Sequence, residues 1–238
     1  MDEDEVLRTL KKFSRPENIE GMKRFGISTT NNLGISIVTL RKYAKTIGTD
    51  HTLAQRLWES GIHDARHLAT MIDDPRLVTK QQMDQWASRF NSWDICDQCC
   101  NNLFYKTPYA YDKARQWCAS KKEFVKRAGF TLIAVLAVHD KEAPDDQFLS
   151  FFPLITQQAT DDRNYVKKAI NWALRQIGKR NATLNKKALD LASDLKKTDS
   201  PAARWIATDA LRELSSEKIQ RTLATKKERS NRIKKEEL

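Results

Sequence analysis

The sequence stretch Asn-Ser-Trp-Asp-Ile-Cys-Asp, which ends at Asp97, brings together two side chains that could do chemistry. Trp93 and Asp97 are four residues apart, so a helix places the indole and the carboxylate one turn apart on neighbouring positions. A carboxylate beside a partly exposed aromatic ring suits a cationic, planar group. Asn91 or Ser92 is expected to cap this helix, and Asp94, in its first turn, is expected to serve the helix start. The alternative is structural: a half-buried tryptophan whose neighbouring aspartate satisfies another helix.

The four cysteines of the chain, at positions 96, 99, 100 and 118, raise the question of a metal site. Cys96 and Cys99 have a spacing found in zinc sites, and Cys118 could supply a further ligand. However, Cys96, Cys99 and Cys100 fall on the apolar arc of the predicted helix, where cysteine behaves as a small hydrophobic residue. We therefore predict no metal and no other cofactor, and no structural disulfide in a reducing compartment.

A second tryptophan, Trp172, lies among cations. On a helix its neighbours at three, four and seven positions are Lys168, Arg175 and Lys179. A tryptophan in a basic stripe suits nucleic acid, because cations bind phosphates and the ring binds sugar or base. The alternative is a solvated basic face with Trp172 packed on the next helix pair.

The composition favours a polyanionic partner. Among 238 residues, 42 Lys and Arg against 31 Asp and Glu give a net charge of +11, which points first to nucleic acid and second to a membrane surface. No apolar run approaches the roughly 20 residues of a membrane span, and the acidic N-terminus lacks the basic start of a secretory signal. We therefore expect a cytoplasmic protein, associated with the nucleoid through DNA, with no membrane partner. Nothing in the sequence signals an oligomer or an obligate protein partner, so a monomer is expected.

Apolar residues recur at helical spacing along nearly the whole chain, and scarce glycine and proline argue against a turn-rich β fold. Helices are predicted over residues 3–13, from 16, over 36–47, near 51–60, 63–72 and 79–90, and over 92–105, 108–119, 122–139, 144–159, 165–179, 184–195 and 201–214.

A weak internal repeat suggests how these helices assemble. Val125–Ala128 resembles Val166–Ala169, 41 residues later, and a period near 40 is typical of HEAT-like helix pairs. We predict an all-α superhelical stack of antiparallel pairs with a concave, basic DNA-binding face. Residues 1–215 would form this domain, and residues 216–238 a basic tail that is either a helical extension or disordered.

Several segments resemble the AlkD-like DNA alkylation repair glycosylases, a family of HEAT-like repeat proteins. The stretch from Asn91 to Asp97 looks like the family's "SWWDSVD"-type signature, and Lys168–Arg175 resembles its "KAIGWVLRE" segment. Phe124–Ala128 resembles the helix that carries a DNA-contacting arginine, and Met22–Phe25 fits the first helices. The matches follow the family's order over most of residues 5–215.

The resemblance implies roles for particular residues. Trp93 and Trp172 would hold the deoxyribose of the damaged nucleotide, Asp97 would be the catalytic carboxylate, and Arg127 would contact the DNA backbone near the lesion. Phe25 stands where the family often has tyrosine, so stacking is kept and a hydroxyl contact is lost. The expected DNA contacts are Phe25, Lys23, Arg24, Arg127, Lys168, Arg175 and Lys179.

The implied reaction is base excision, in which cleavage of an N-glycosidic bond builds oxocarbenium character on the sugar. With Asp97 as the one placed carboxylate and no histidine beside it, the arrangement suits bases that already carry positive charge, such as N3-alkyladenine and N7-alkylguanine in double-stranded DNA. The family resemblance further implies catalysis without insertion of the base into a pocket. Two alternatives stay open: a HEAT-like nucleic-acid-binding protein without catalysis, and a HEAT-like scaffold for an acidic protein.

Overall fold

The computed structural model describes residues 1–236 and, near the end, side chains as far as Lys226 together with Glu228. The described residues contain helices and no strand, so the all-α prediction is confirmed. The chain divides into two compact units, 1–113 and 114–238, and the boundary falls inside one helix. No helix in the described residues has the length and apolar character needed to cross a membrane.

The first unit consists of short helices joined by tight connections. They are α1 (Glu3–Lys12), α2 (Ile19–Arg24), α3 (Ile37–Ile47), α4 (His51–Glu59), α5 (His63–Ile72), α6 (Lys80–Ser88), α7 (Trp93–Asn102) and the helix α8 (Ala110–Cys118) that contains the boundary, with 3-10 turns at Pro16–Asn18 and Phe104–Lys106. Side-chain caps begin several of them: Asp2, Ser36, Asp50 and Thr79 each accept a hydrogen bond from the backbone of the first turn. Trp58 and Trp86 stack with centroids 4.1 Å apart at the centre of this core.

The loop between α2 and α3 is held by a buried carboxylate. Asp64, on α5, accepts hydrogen bonds from the backbone N–H groups of Leu33 (2.6 Å) and Ile35 (2.9 Å). Gly34 between them has φ +74°, and a Cβ there would lie 2.1 Å from the carbonyl oxygen of Arg15. Glycine is therefore required at this position, and the loop that leads from α2 is fixed against α5.

The second unit continues with α9 (Glu123–His139), α10 (Asp145–Leu149), α11 (Phe152–Gln158), α12 (Asn164–Gly178), α13 (Ala182–Lys196), α14 (Pro201–Leu214) and α15 (Glu217–Glu236). α9 is buried along nearly its whole length and packs on α12. α15 occupies most of the predicted basic tail, whose residues 237 and 238 lie outside the described part of the chain.

Three predicted helices differ from the observed ones. The helix predicted over 92–105 ends at Asn102, and the separate 3-10 turn Phe104–Lys106 follows it. The predicted helix over 144–159 is two helices, because Pro153 lacks the N–H that a continuous helix needs and instead lies in the first turn of α11. The helix predicted from Pro16 begins as a 3-10 turn and becomes α-helical at Ile19.

Candidate functional site

The first turn of α7 lacks the side-chain cap that the sequence predicts. Ser92 is buried and extended, but it accepts no hydrogen bond from the first turn; its Oγ lies 2.5 Å from Oδ1 of Asp94 and donates to it. The prediction that Ser92 caps the helix through its side chain is therefore wrong, since its hydroxyl is oriented toward the Asp94 carboxylate, to which it donates. Asn91 precedes the N-cap position, which Ser92 occupies, and its Nδ2 donates to Oγ of Ser28 (3.1 Å).

Trp93 is fixed to the segment that follows α2. Its indole Nε1 donates to the carbonyl oxygen of Phe25 at 2.8 Å, while the Phe25 side chain is 74% exposed. Lys23 and Arg24, in the last turn of α2, are exposed beside it. Four of the predicted site residues thus lie in one region of the first unit, with an exposed aromatic ring next to two cations.

Asp97 follows Trp93 by four residues on α7, so the two side chains are neighbours on one helix face, and both are half-buried. Behind this face, Cys96, Cys99 and Cys100 are fully buried, as their apolar spacing indicates. Burial raises the pKa of the Cys99 thiol well above its ordinary value, which keeps that sulfur neutral.

Asp94 has a larger role than the sequence indicated. Its Oδ2 lies 2.7 Å from Nε2 of His63 and 3.0 Å from Nε2 of His67, both on α5. Burial alone would raise the pKa of this carboxyl, but the hydrogen bonds with the two imidazoles outweigh it and lower the pKa, so Asp94 is ionised. Burial likewise lowers the pKa of His67.

The sequence analysis did not predict this cluster; it expected no histidine beside Asp97, and the two histidines contact Asp94. His63 and His67 contact α7 at Asp94, which lies about one turn before Asp97. Their spacing was the available signal, because His63 and His67 are four residues apart and therefore lie on one face of α5.

In the second unit, Trp172 is half-buried on α12, and its indole N–H has no hydrogen-bond partner among the described residues. Lys168 is exposed, but Arg175 and Lys179 are not free cations. Nη1 of Arg175 and Nζ of Lys179 (2.7 Å) both pair with the carboxylate of Glu213 on α14. The predicted basic stripe is thus partly neutralised, because Asp209 and Glu213, four residues apart on α14, face these two cations.

The Arg127 side chain also has a hydrogen-bond partner within the protein. It is 7% exposed on α9, and its Nη1 donates to the backbone carbonyl of Tyr165 in the first turn of α12 at 2.7 Å. The guanidinium therefore joins α9 to α12, the two helices that carry the repeat noted in the sequence.

Comparisons with known proteins extend over most of the chain. The sequence model of the family described as DNA alkylation repair enzyme matches residues 6–218. The uncharacterized protein Lin0241 of Listeria innocua is 23% identical over 198 residues, which are 82% of this chain and 86% of that protein.

One similar solved structure comes from a new family of proteins related to the HEAT-like repeat DNA glycosylases, with affinity for branched DNA structures. It aligns with a TM-score of 0.74 and 20% identity over 90% of this chain and 95% of that chain. A designed armadillo repeat protein aligns with a TM-score of 0.35 and 14% identity over 74% of this chain and 92% of that chain. The HEAT-like repeat fold is therefore confirmed. The chain belongs to the DNA alkylation repair enzyme family.

Proposed function

We propose that this protein is a monofunctional DNA glycosylase of base excision repair that hydrolyses the N-glycosidic bond of N3-alkyladenine and N7-alkylguanine. The observation that carries the proposal is the face of α7, where Trp93 and Asp97 lie one turn apart at a half-buried surface. The hydrogen bond from Trp93 to Phe25 fixes the ring before any ligand arrives. A preorganised aromatic ring beside a carboxylate suits a sugar that becomes cationic.

The chemistry requires few groups when the base is already charged. As the glycosidic bond breaks, positive charge moves from the alkylated purine to the deoxyribose, and the base leaves as a neutral molecule without a general acid. Asp97 would stabilise the oxocarbenium character and orient the attacking water, while Trp93 would hold the sugar. Preorganised charge of this kind contributes about 3–4 kcal/mol.

We propose that DNA binding uses both units. In the first unit, exposed Phe25 with Lys23 and Arg24 offers a ring and two cations to the duplex. In the second unit, half-buried Trp172 and exposed Lys168 offer a ring and a cation to DNA.

The remaining cations of the predicted set have protein partners. Arg175 and Lys179 share the carboxylate of Glu213, so they would contribute to DNA binding less than free cations do. Arg127 would act mainly by fixing α9 to α12. The intact monomer on double-stranded DNA is the proposed working form.

A second candidate function is DNA binding without catalysis. The observation that favours it is the solved neighbour, which comes from a family with affinity for branched DNA structures. A branched DNA presents the same phosphates as a duplex, and the exposed cations of both units could bind either.

One assay separates the two candidates. The protein is incubated with duplex DNA that contains 7-methylguanine, and free base is measured over time beside a reaction without protein. Release well above the uncatalysed rate supports the glycosylase. Release at the uncatalysed rate, together with tighter binding to a four-way junction than to a matched duplex, would replace it with the binding function.

A further inference from the structure

A cluster of two imidazoles and one carboxylate lies inside the first unit, behind the face of α7 that carries Trp93. Three atoms lie close together in it. Oδ2 of Asp94 is 2.7 Å from Nε2 of His63 and 3.0 Å from Nε2 of His67, and the two nitrogens are 3.1 Å apart. We propose that these three atoms bind a zinc-class divalent cation with a structural role.

The spacing of the three atoms fits such an ion. Zinc lies about 2.0–2.2 Å from imidazole nitrogen and carboxylate oxygen, so ligand atoms on one tetrahedral zinc are about 3.3 Å apart. The observed triangle is slightly smaller. An ion about 2.05 Å from each atom would lie about 1 Å above their plane, so the side chains need to move by only a few tenths of an ångström.

The local sequence presents the ligands without distorting the helices. His63 and His67 are four residues apart on α5, which puts both rings on one face, as in helical zinc sites that use a His-x-x-x-His pair. Asp94 comes from the first turn of α7 and faces them. Its second oxygen accepts the hydrogen bond of Ser92 Oγ, which orients the carboxylate so that Oδ2 points at the imidazoles.

Hydrogen bonding alone explains the convergence less well. For both imidazoles to donate to Oδ2 of Asp94, each Nε2 must carry a proton, and the 3.1 Å between the nitrogens brings those protons together. A cation removes this conflict, since both nitrogens then direct lone pairs at one positive charge. The histidines are 4% and 2% exposed and the Asp94 side chain 13%, so the ion would be largely enclosed, with water or another group in the fourth position.

Bound there, the ion would tie α5 to the beginning of α7. Trp93 precedes Asp94 directly and Asp97 follows it by one turn, so the cation would hold the helix that presents them. This role is structural and independent of the proposed glycosylase activity.

The test uses the full chain without a histidine tag, stripped with a chelator and titrated with Co²⁺ and then with Zn²⁺. We expect one Co²⁺ per chain, with visible bands of nitrogen and oxygen ligation that Zn²⁺ abolishes. Zinc at about 100 times its dissociation constant should raise the melting temperature by about 5–10 °C. His67→Ala should weaken binding by more than about 100-fold, and Ser92→Ala by roughly 10–100-fold.

The matched control is His51→Ala, which removes an imidazole that pairs with the single carboxylate of Asp73 in the same unit. It should bind Co²⁺ as the original chain does. Three results would overturn the proposal: no stoichiometric Co²⁺ bound by the original chain, unchanged binding in His67→Ala, or a thiolate-to-cobalt band that places the ion on cysteine. If His67→Ala does not fold, the titrations of the original chain and of Ser92→Ala still decide the question.

Discussion

Asp161 joins the beginning of α12 to α9, and replacing it with asparagine should destabilise the second unit. Its Oδ2 accepts hydrogen bonds from Nζ of Lys126 (2.9 Å) and Nη2 of Arg163 (2.6 Å), and Oδ1 accepts from Nε of Arg163 (2.9 Å). The side chains of Asp161 and Lys126 are 11% and 10% exposed. Asp161→Asn removes the charge and leaves the nearly buried Lys126 ammonium with the neutral side-chain oxygen of Gln158, at 2.6 Å, as its acceptor.

The pKa of Asp161 gives the size of the effect. Hydrogen bonds from Arg163, opposed by burial and helped by Lys126, lower the pKa from 3.8 to about 2. The difference between these two pKa values corresponds to at most about 2.4 kcal/mol. Because the Arg163 side chain is one-third exposed, solvent screening reduces this to about 1.5 kcal/mol, or about 3–6 °C in melting temperature.

The sign of the pH dependence follows from the lowered pKa. As the pH falls, the unfolded chain takes up the proton before the folded chain does, so the folded state loses stability. The contribution of Asp161 is complete above about pH 5, about half lost at pH 3, and absent below about pH 1.

The assay is thermal and urea unfolding, followed by helical circular dichroism at pH 7 and pH 3. Asp190→Asn on the exposed face of α13 is the control for loss of one carboxylate. Asp161→Asn should be less stable than the control at pH 7 by about 1.5 kcal/mol, and the difference should shrink toward pH 3. Equal stability of the two variants at pH 7, or a difference that stays constant with pH, would refute the reasoning.

Three further variants test other parts of the structure. Trp93→Phe keeps a ring but loses the hydrogen bond to Phe25, so we expect about 1 kcal/mol lower stability by thermal melting; an unchanged melting temperature would argue against that bond. Gly129→Ala puts a Cβ 2.5 Å from backbone at the end of α8 and should cost about 1–3 kcal/mol by the same measurement, whereas a neutral effect would contradict the close packing. Glu213→Gln removes the charge that Lys179 and Nη1 of Arg175 share, while Oδ2 of Asp209 stays 3.6 Å from Nε of Arg175. Lys179 is therefore the cation released, so DNA binding should tighten and its salt dependence should steepen by about one phosphate contact. The effect should exceed that of the control Glu217→Gln, which removes an exposed Glu–Arg pair on α15. Equal binding of these two variants would show that Lys179 stays unavailable.

Hydrophobic spacing predicted the helices because each helix buries one face. Val6 and Leu10 in α1 and the cysteines of α7 are buried where the period places them. The break at Pro153 was missed because the apolar period continues across it.

The site was less predictable because its details depend on contacts between distant residues. The proximity of Trp93 to Asp97 follows from local spacing, whereas the pairing of Asp94 with His63 and His67 depends on how α5 packs against α7. In the second unit, the charge near Trp172 could not be inferred from α12 alone, since the carboxylate that neutralises it lies on α14.

The most direct test of the proposed function is single-turnover release of free 7-methylguanine from duplex DNA by the original chain and by Asp97→Asn, with DNA affinity measured on the same samples. The original chain should release base well above the uncatalysed rate. Asp97→Asn should bind the duplex with unchanged affinity and release base about 100–1,000-fold more slowly. Equal release by the two proteins, or no release above the uncatalysed rate by either, would contradict the assignment of glycosylase chemistry to Asp97.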